Sequence, residues 1–93
     1  MAWYTCTVNE AGPADDATDT PDGSVYINLT DQGGAFPGGT WFYCAAGSKS
    51  SMLAVALAAI SVGAQVEVGA LPPNPGGSPL TEIQRLYLIA PLG

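Results

Sequence analysis

Residues 48–68 read SKSSMLAVALAAISVGAQVEV, and the change of period inside that stretch decides the architecture. From Ser48 to Val62 the apolar residues Met52, Leu53, Ala56, Leu57, Ala59 and Ile60 recur at spacings of three and four, which predicts a helix. Ser48 or Ser50 is placed to cap its start, and Gly63 to end it in the left-handed conformation. Beyond Gly63 the period falls to two. Val66 and Val68 alternate with Gln65, Glu67 and Gly69, so residues 64–71 are predicted as a strand.

Upstream of the helix the same alternation appears three times. Trp3 to Asn9 puts Tyr4, Cys6 and Val8 on one face, and Ser24 to Thr30 turns Val25, Ile27 and Leu29 inward with Tyr26, Asn28 and Thr30 outward. Thr40 to Ala45 sets Phe42 and Cys44 against Trp41, Tyr43 and Ala45. Between the first two strands, Glu10 to Gly23 carries Asp15, Asp16, Asp19 and Asp22 among turn-forming residues and is predicted as a long acidic loop. Downstream, the prolines and glycines of residues 71–79 stop the fourth strand. Glu82 to Ala90 is predicted as a fifth, with Ile83, Arg85, Tyr87 and Ile89 on one face and Leu86 and Leu88 on the other.

Three strands, a helix and two strands is the order of the OB-fold, a five-stranded Greek-key barrel with its helix between the third and fourth strands. An unrelated α+β sandwich with the same order is the competing architecture. Ninety-three residues supply one core, so the chain is predicted to be all-β with one helix and a single domain over residues 1–93. In an OB barrel the ligand surfaces are built from the second and third strands and from the loops joining strands one to two and four to five.

Charge removes several classes of function. Only Lys49 and Arg85 oppose eight carboxylates, for a net charge of −6, and two cations cannot neutralise the phosphates on which nucleic-acid affinity rests. Anionic membrane surfaces are disfavoured for the same reason. The longest weakly polar run, Ser50 to Gly63, is shorter than the roughly 20 residues a membrane span needs, so no membrane insertion is expected. With no histidine and no cysteine cluster, zinc binding and His-based acid–base catalysis are unavailable, and no metal or cofactor is expected. An enzyme would have to use Asp31, Glu67, Glu82 or hydroxyl groups alone, on a barrel too small for a deep sugar-distorting cleft. A non-catalytic protein is expected. The aspartates of the first loop lack the alternate spacing and closing Glu of a calcium loop and are read as a solvated turn.

Cys6 and Cys44 both fall on the apolar faces of their strands, which predicts a disulfide across the interior; two buried free thiols are the alternative. The disulfide, the scarcity of lysine and the Gly/Pro-rich loops point to a secreted or periplasmic protein. Met1-Ala2 leads directly into a strand, so the chain is read as a mature form behind an initiator Met.

The run from Met52 through Ala56-Leu57 to Ser61-Val62-Gly63, then Gln65-Val66-Glu67-Val68, then Leu86-Tyr87-Leu88, resembles the B subunits of one-A-five-B bacterial toxins, particularly the subtilase-cytotoxin and pertussis-like group. The resemblance covers about forty residues plus the first cysteine-bearing strand. It implies a secreted OB-fold domain assembled as a pentameric ring, with helices around a central pore and cell-surface glycans as ligands. The placement of the second cysteine, the shorter C-terminus and the acidic first loop depart from that group, and its glycan-contact residues have no clear counterpart here.

Two features of the residues themselves lead in the same direction. The helix has no charge from Ser50 to Gly63, whereas a lone surface helix has a charged outer face, so a homo-oligomer is expected. Leu53, Leu57 and Ile60 are assigned to the barrel. Met52, Ala54, Ala58 and Ser61, with Ser51, are assigned to a neighbouring copy, the alternative being a small Ala/Ser surface that needs no partner. Alternation also turns Trp3, Tyr26, Trp41, Tyr43 and Tyr87 away from the interior. Sugars stack on such rings while amides and hydroxyls bind their hydroxyl groups, so Trp41, Tyr43, Tyr26, Asn28 and Thr40 form the candidate glycan site, with burial against another subunit as the alternative. The function expected is a ring-forming glycan-binding module; its rival is a structural or protein-interaction subunit without a sugar ligand.

Overall fold

The computed structural model describes residues 1–13, 24–74 and 80–90. Strands β1 (Ala2–Pro13), β2 (Val25–Asp31) and β3 (Thr40–Cys44) are followed by a short 3-10 turn at Ala46–Ser48, helix α1 (Lys49–Val62), β4 (Gln65–Ala70) and β5 (Thr81–Leu88). The strands close into a barrel in the order β1-β2-β3-β5-β4, with β4 returning to β1. All pairings are antiparallel except the seam between β3 and β5, where Phe42, Tyr43 and Cys44 run parallel to Thr81, Glu82 and Ile83. This is the five-stranded, OB-like barrel with its helix between the third and fourth strands. Its interior is filled by the alternating residues predicted for it: Cys6, Ile27, Leu29, Phe42, Cys44, Val66 and Val68 are all buried.

Two bulges depart from strict alternation. On β1, Val8 pairs with Leu29 but Glu10 pairs with Asn28, so Asn9 is the extra residue. Beyond it Ala11, Gly12 and Pro13 continue the strand opposite Ile27, Tyr26 and Val25, so β1 replaces the expected start of the acidic loop at Glu10. Pro13 is tolerated because it ends the strand, where a missing N–H costs least. On β5, Gly69 pairs with Arg85 and Ala70 with Ile83, which leaves Gln84 as the extra residue. The shift turns both Ile83 and Leu86 inward, correcting the placement of Ile83 on the face of Arg85 and Tyr87. The acidic segment 14–23, with its calcium question, and residues 75–79 lie outside the described residues.

Helix α1 packs on β1, β2, β4 and β5, and the face it buries is not the predicted one. Met52, Ala56 and Ala59 point into the core with Leu53 and Val55 partly buried beside them, whereas Leu57 and Ile60 are exposed. A helix apolar on every side has no moment to choose its rotation, so fit decides: Ala56 and Ala59 let the backbone come close to the barrel, where Leu57 and Ile60 would hold it off. Met52 is therefore a core residue and not an interface residue. Gly63 ends the helix at φ 68°, ψ 28°, its N–H bonded to the Ala59 carbonyl, as predicted. Neither serine caps the start through its side chain. Ser48 holds the N-cap position without a side-chain bond, and its N–H donates to the Ala45 carbonyl at 3.0 Å within the 3-10 turn, while Ser50 lies inside the helix.

The cysteines are free thiols, which corrects the expected disulfide. β1 and β3 are not neighbours in the barrel; β2 separates them on one side and β4 and β5 on the other. Each thiol instead fills an interior position in the manner of a small hydrophobe. Burial pushes Cys44 up to about 12, and burial with the added charge of Asp31 does the same to Cys6, so both are protonated and inert at neutral pH.

Candidate functional site

Of the predicted glycan-facing residues, Tyr26, Asn28, Trp41 and Tyr43 share the outer side of β2 and β3, whereas Thr40 pairs with the inward Leu29 and lies on the face of Phe42 at the start of β3. Tyr26 is the cross-strand partner of Tyr43, and Asn28 of Trp41, so three aromatic side chains share two successive outward rungs, with the inward Ile27–Phe42 pair between them. On β1 the same rungs continue to Gly12 and Glu10. Tyr26 and Tyr43 are half-buried and Trp41 is 39% exposed, so the indole stands highest on the patch.

Trp41 also divides two depressions. On one side lies a cleft of about 500 Å³, bounded by the Ala35–Thr40 turn and, across the gap, by Pro72, Pro73 and Leu80. On the other lies a shallower one of about 220 Å³, between Trp41, Tyr26 and Glu10 to Pro13 of the extended β1.

Asn28 has a different part from the one expected of it. It is 5% exposed, its Nδ2 donates to the Gly39 carbonyl at 2.8 Å, and its Oδ1 accepts from Asn9 Nδ2 at 2.9 Å. Asn9 Nδ2 also donates to Thr30 Oγ1 at 2.8 Å, and Thr30 Oγ1 accepts from the Gly39 N–H at 3.3 Å. With both ends of its amide engaged, Asn28 holds the turn entering β3 against the bulge of β1. Its amide is engaged within the fold, against the turn that leads to Trp41. Thr40 lines the larger cleft while its hydroxyl donates to the Pro37 carbonyl, so its oxygen retains acceptor capacity.

Asn9 escaped the sequence reading, whereas Glu10, Pro72 and Pro73 fall within the two loops, residues 10–23 and 71–79, expected to border a ligand surface. Asn9 is a bulge residue, and a period of two has no place for it. The Ala-Gly-Pro at 11–13 carries turn chemistry and hides a strand end. The prolines of the β4–β5 connection, expected as a strand stop and as part of a ligand-bordering loop, stand as a wall of the larger cleft.

The other outward aromatics form a separate patch. Trp3 stacks on Tyr87 with centroids 5.9 Å apart and planes at 27°, and Arg85 Nη1 donates to Tyr87 Oη at 3.0 Å. Gly69 makes this possible: a Cβ there would lie 3.2 Å from Trp3 Cη2, Met1 Sδ and Arg85 Cβ. Of the residues assigned to an oligomer contact, Ala54 and Ser61 are exposed on α1 and Ala58 is half-buried, with exposed Leu57, Ile60 and Val62 around them. Among the described residues no group of three or more His, Cys, Asp or Glu could hold a metal ion, and no helix is long and apolar enough to cross a membrane. Asp31 is committed to structure, its Oδ2 accepting the Ala35 N–H at 2.6 Å to close the turn after β2. Comparisons with family models, curated proteins and solved structures return no match for this chain.

Proposed function

We propose that this protein is a non-catalytic carbohydrate-binding domain that takes a glycan across Trp41, with Tyr26 and Tyr43 extending the stacking surface. The observation that carries the reading is the position of Trp41, an exposed indole between two clefts on a barrel face held rigid by the Asn9–Asn28–Gly39 bonds. Stacking orients a sugar ring, and the Thr40 oxygen and the turn at residues 35–39 are near enough to sort its hydroxyls. A glycan array tests it. Trp41→Ala abolishes the signal with the fold retained; an unchanged signal, or none from the wild type, refutes the site.

The same proposal includes a secreted or periplasmic location and assembly as a ring of the toxin B-subunit kind. A second reading, a subunit whose exposed apolar surfaces serve assembly alone, is favoured by Leu57, Ile60 and Val62 at 47, 44 and 62% exposure on a helix without charge beyond Lys49. Light scattering separates the outcomes. Wild type at several times 9.4 kDa and Leu57→Glu at one chain's mass place α1 in an interface, and a monomeric wild type removes the ring.

A further inference from the structure

β5 outruns β3. The parallel seam stops where Cys44 meets Ile83, and the chain then turns through residues 46–48 into α1, while β5 continues to Leu88 paired with β4. The Ile89 N–H donates to the Gln65 carbonyl at 3.0 Å. Counting along the antiparallel ladder from that bond, Tyr87 directs its main-chain groups at β4, and Leu86 and Leu88 direct theirs to the opposite side. Between that stretch of β5 and α1 lies a groove of about 730 Å³, with Ser51 and Val55 on the helical wall and Gln84, Arg85 and Tyr87 on the strand wall. Its rim is apolar, with Met1 and Leu71 exposed at 58 and 62%. Arg85, one of two cations in a chain of net charge −6, stands on it.

We propose that this groove takes an extended peptide carrying one acidic side chain, added as a strand to β5 at Leu86 and Leu88 with its carboxylate on the Arg85 guanidinium. A strand edge supplies main-chain donors and acceptors at fixed spacing, and only extended backbone matches them. Charges and bulges ordinarily blunt such an edge, yet here the bulge at Gln84 precedes the open length and leaves it regular. Arg85 gives one of its five N–H groups to Tyr87, leaving a planar fork that fits a carboxylate better than any neutral group. The net charge of −6 disfavours a polyanionic strand, so the occupant carries a single acid among β-branched or apolar residues. This site is separate from the Trp41 surface and does not rest on sugar binding.

The test uses the full chain and a fluorescein-labelled, end-capped TVEVT peptide read by polarisation. Saturable binding is expected. N-methylation of alternate peptide residues weakens it about tenfold or more, because each methyl removes a ladder donor. Replacing the peptide Glu by Gln weakens it about tenfold, Arg85→Gln does the same, and the two losses do not add. Ser51→Tyr, at an exposed helix position, fills the groove and blocks binding while circular dichroism stays unchanged. Absence of saturable binding below millimolar peptide overturns the proposal, as does indifference to N-methylation or independent addition of the two charge losses. A wild-type oligomer that dissociates on Ser51→Tyr without being displaced by the peptide assigns the groove to a second copy and equally overturns it.

Discussion

The side-chain amide of Asn28 donates to the main-chain carbonyl of Gly39 at 2.8 Å, tying the middle of β2 to the turn that delivers Trp41. This one bond links a buried polar residue to the turn that leads to the exposed indole. Asn28→Ala leaves the Asn9 amide and the Gly39 carbonyl to seek other partners and costs about 1–2 kcal/mol. Thermal unfolding should show a fall of roughly 5–10 °C. Weakened sugar binding should accompany it, and an unchanged melting temperature would mean the network carries no weight.

Gly69 is the floor beneath the Trp3–Tyr87 stack. In Gly69→Ala the new methyl would meet Arg85 Cβ, which is anchored to backbone, as well as the free ends of Trp3 and Met1, all at 3.2 Å. The strand has to shift or the indole to lift, at a cost of about 1–3 kcal/mol. Near-ultraviolet circular dichroism should report the lost stacking. In a Trp3→Ala background the same substitution should cost less; an equal cost would show that Arg85, not the ring, is the obstacle.

The rotation of α1 is tested by a pair of substitutions. Ala56 is fully buried and Ala54 exposed. Ala56→Leu overfills the contact with the barrel and should lose about 1–3 kcal/mol in urea titrations, whereas Ala54→Leu should stay within about 0.5 kcal/mol for an isolated chain. The reverse order would overturn this rotation of α1.

Stability should fall in alkali. The two thiols ionise near 9 when free of the fold and near 12 within it, pushed up by burial and, for Cys6, by Asp31 as well. Between those values the unfolded chain has released protons the folded chain retains, so each thiol lowers stability by up to about 1.4 kcal/mol per pH unit as pH rises through the window, and has no effect below it. Tyr4 is raised in the same sense, chiefly by burial and then by Asp31 and Cys6, and steepens the decline above its ordinary value of 10.0. Urea titrations at pH 7, 9 and 11 under reducing conditions should show the slope. The Cys6→Ala, Cys44→Ala double variant should flatten it.

The barrel was legible because Val25-Ile27-Leu29, Phe42-Cys44 and Val66-Val68 each alternate without interruption, and because period three-to-four and period two meet at a glycine suited to end a helix. The misplaced strand faces have one physical origin. An extra residue, Asn9 or Gln84, changes which side of the sheet every later side chain occupies, and only the partner strand shows where it is inserted. The buried face of α1 was illegible for a related reason: where all sides are apolar, packing against the barrel decides and pattern does not. Trp41, Tyr26 and Tyr43 were placed together correctly. The role of Asn28 was not, since a polar residue on an outward face looks the same in sequence whether water or a turn covers it.

The closing seam between β3 and β5 is three rungs long and joins residues that are remote in the chain. Such a joint pays its full loop-closure entropy before any rung repays it, so it zips last and unzips first. Amide hydrogens that bridge the β3–β5 seam should therefore exchange ahead of those between β1 and β2, an opening along a line that runs between the Trp41 surface and the Arg85 groove.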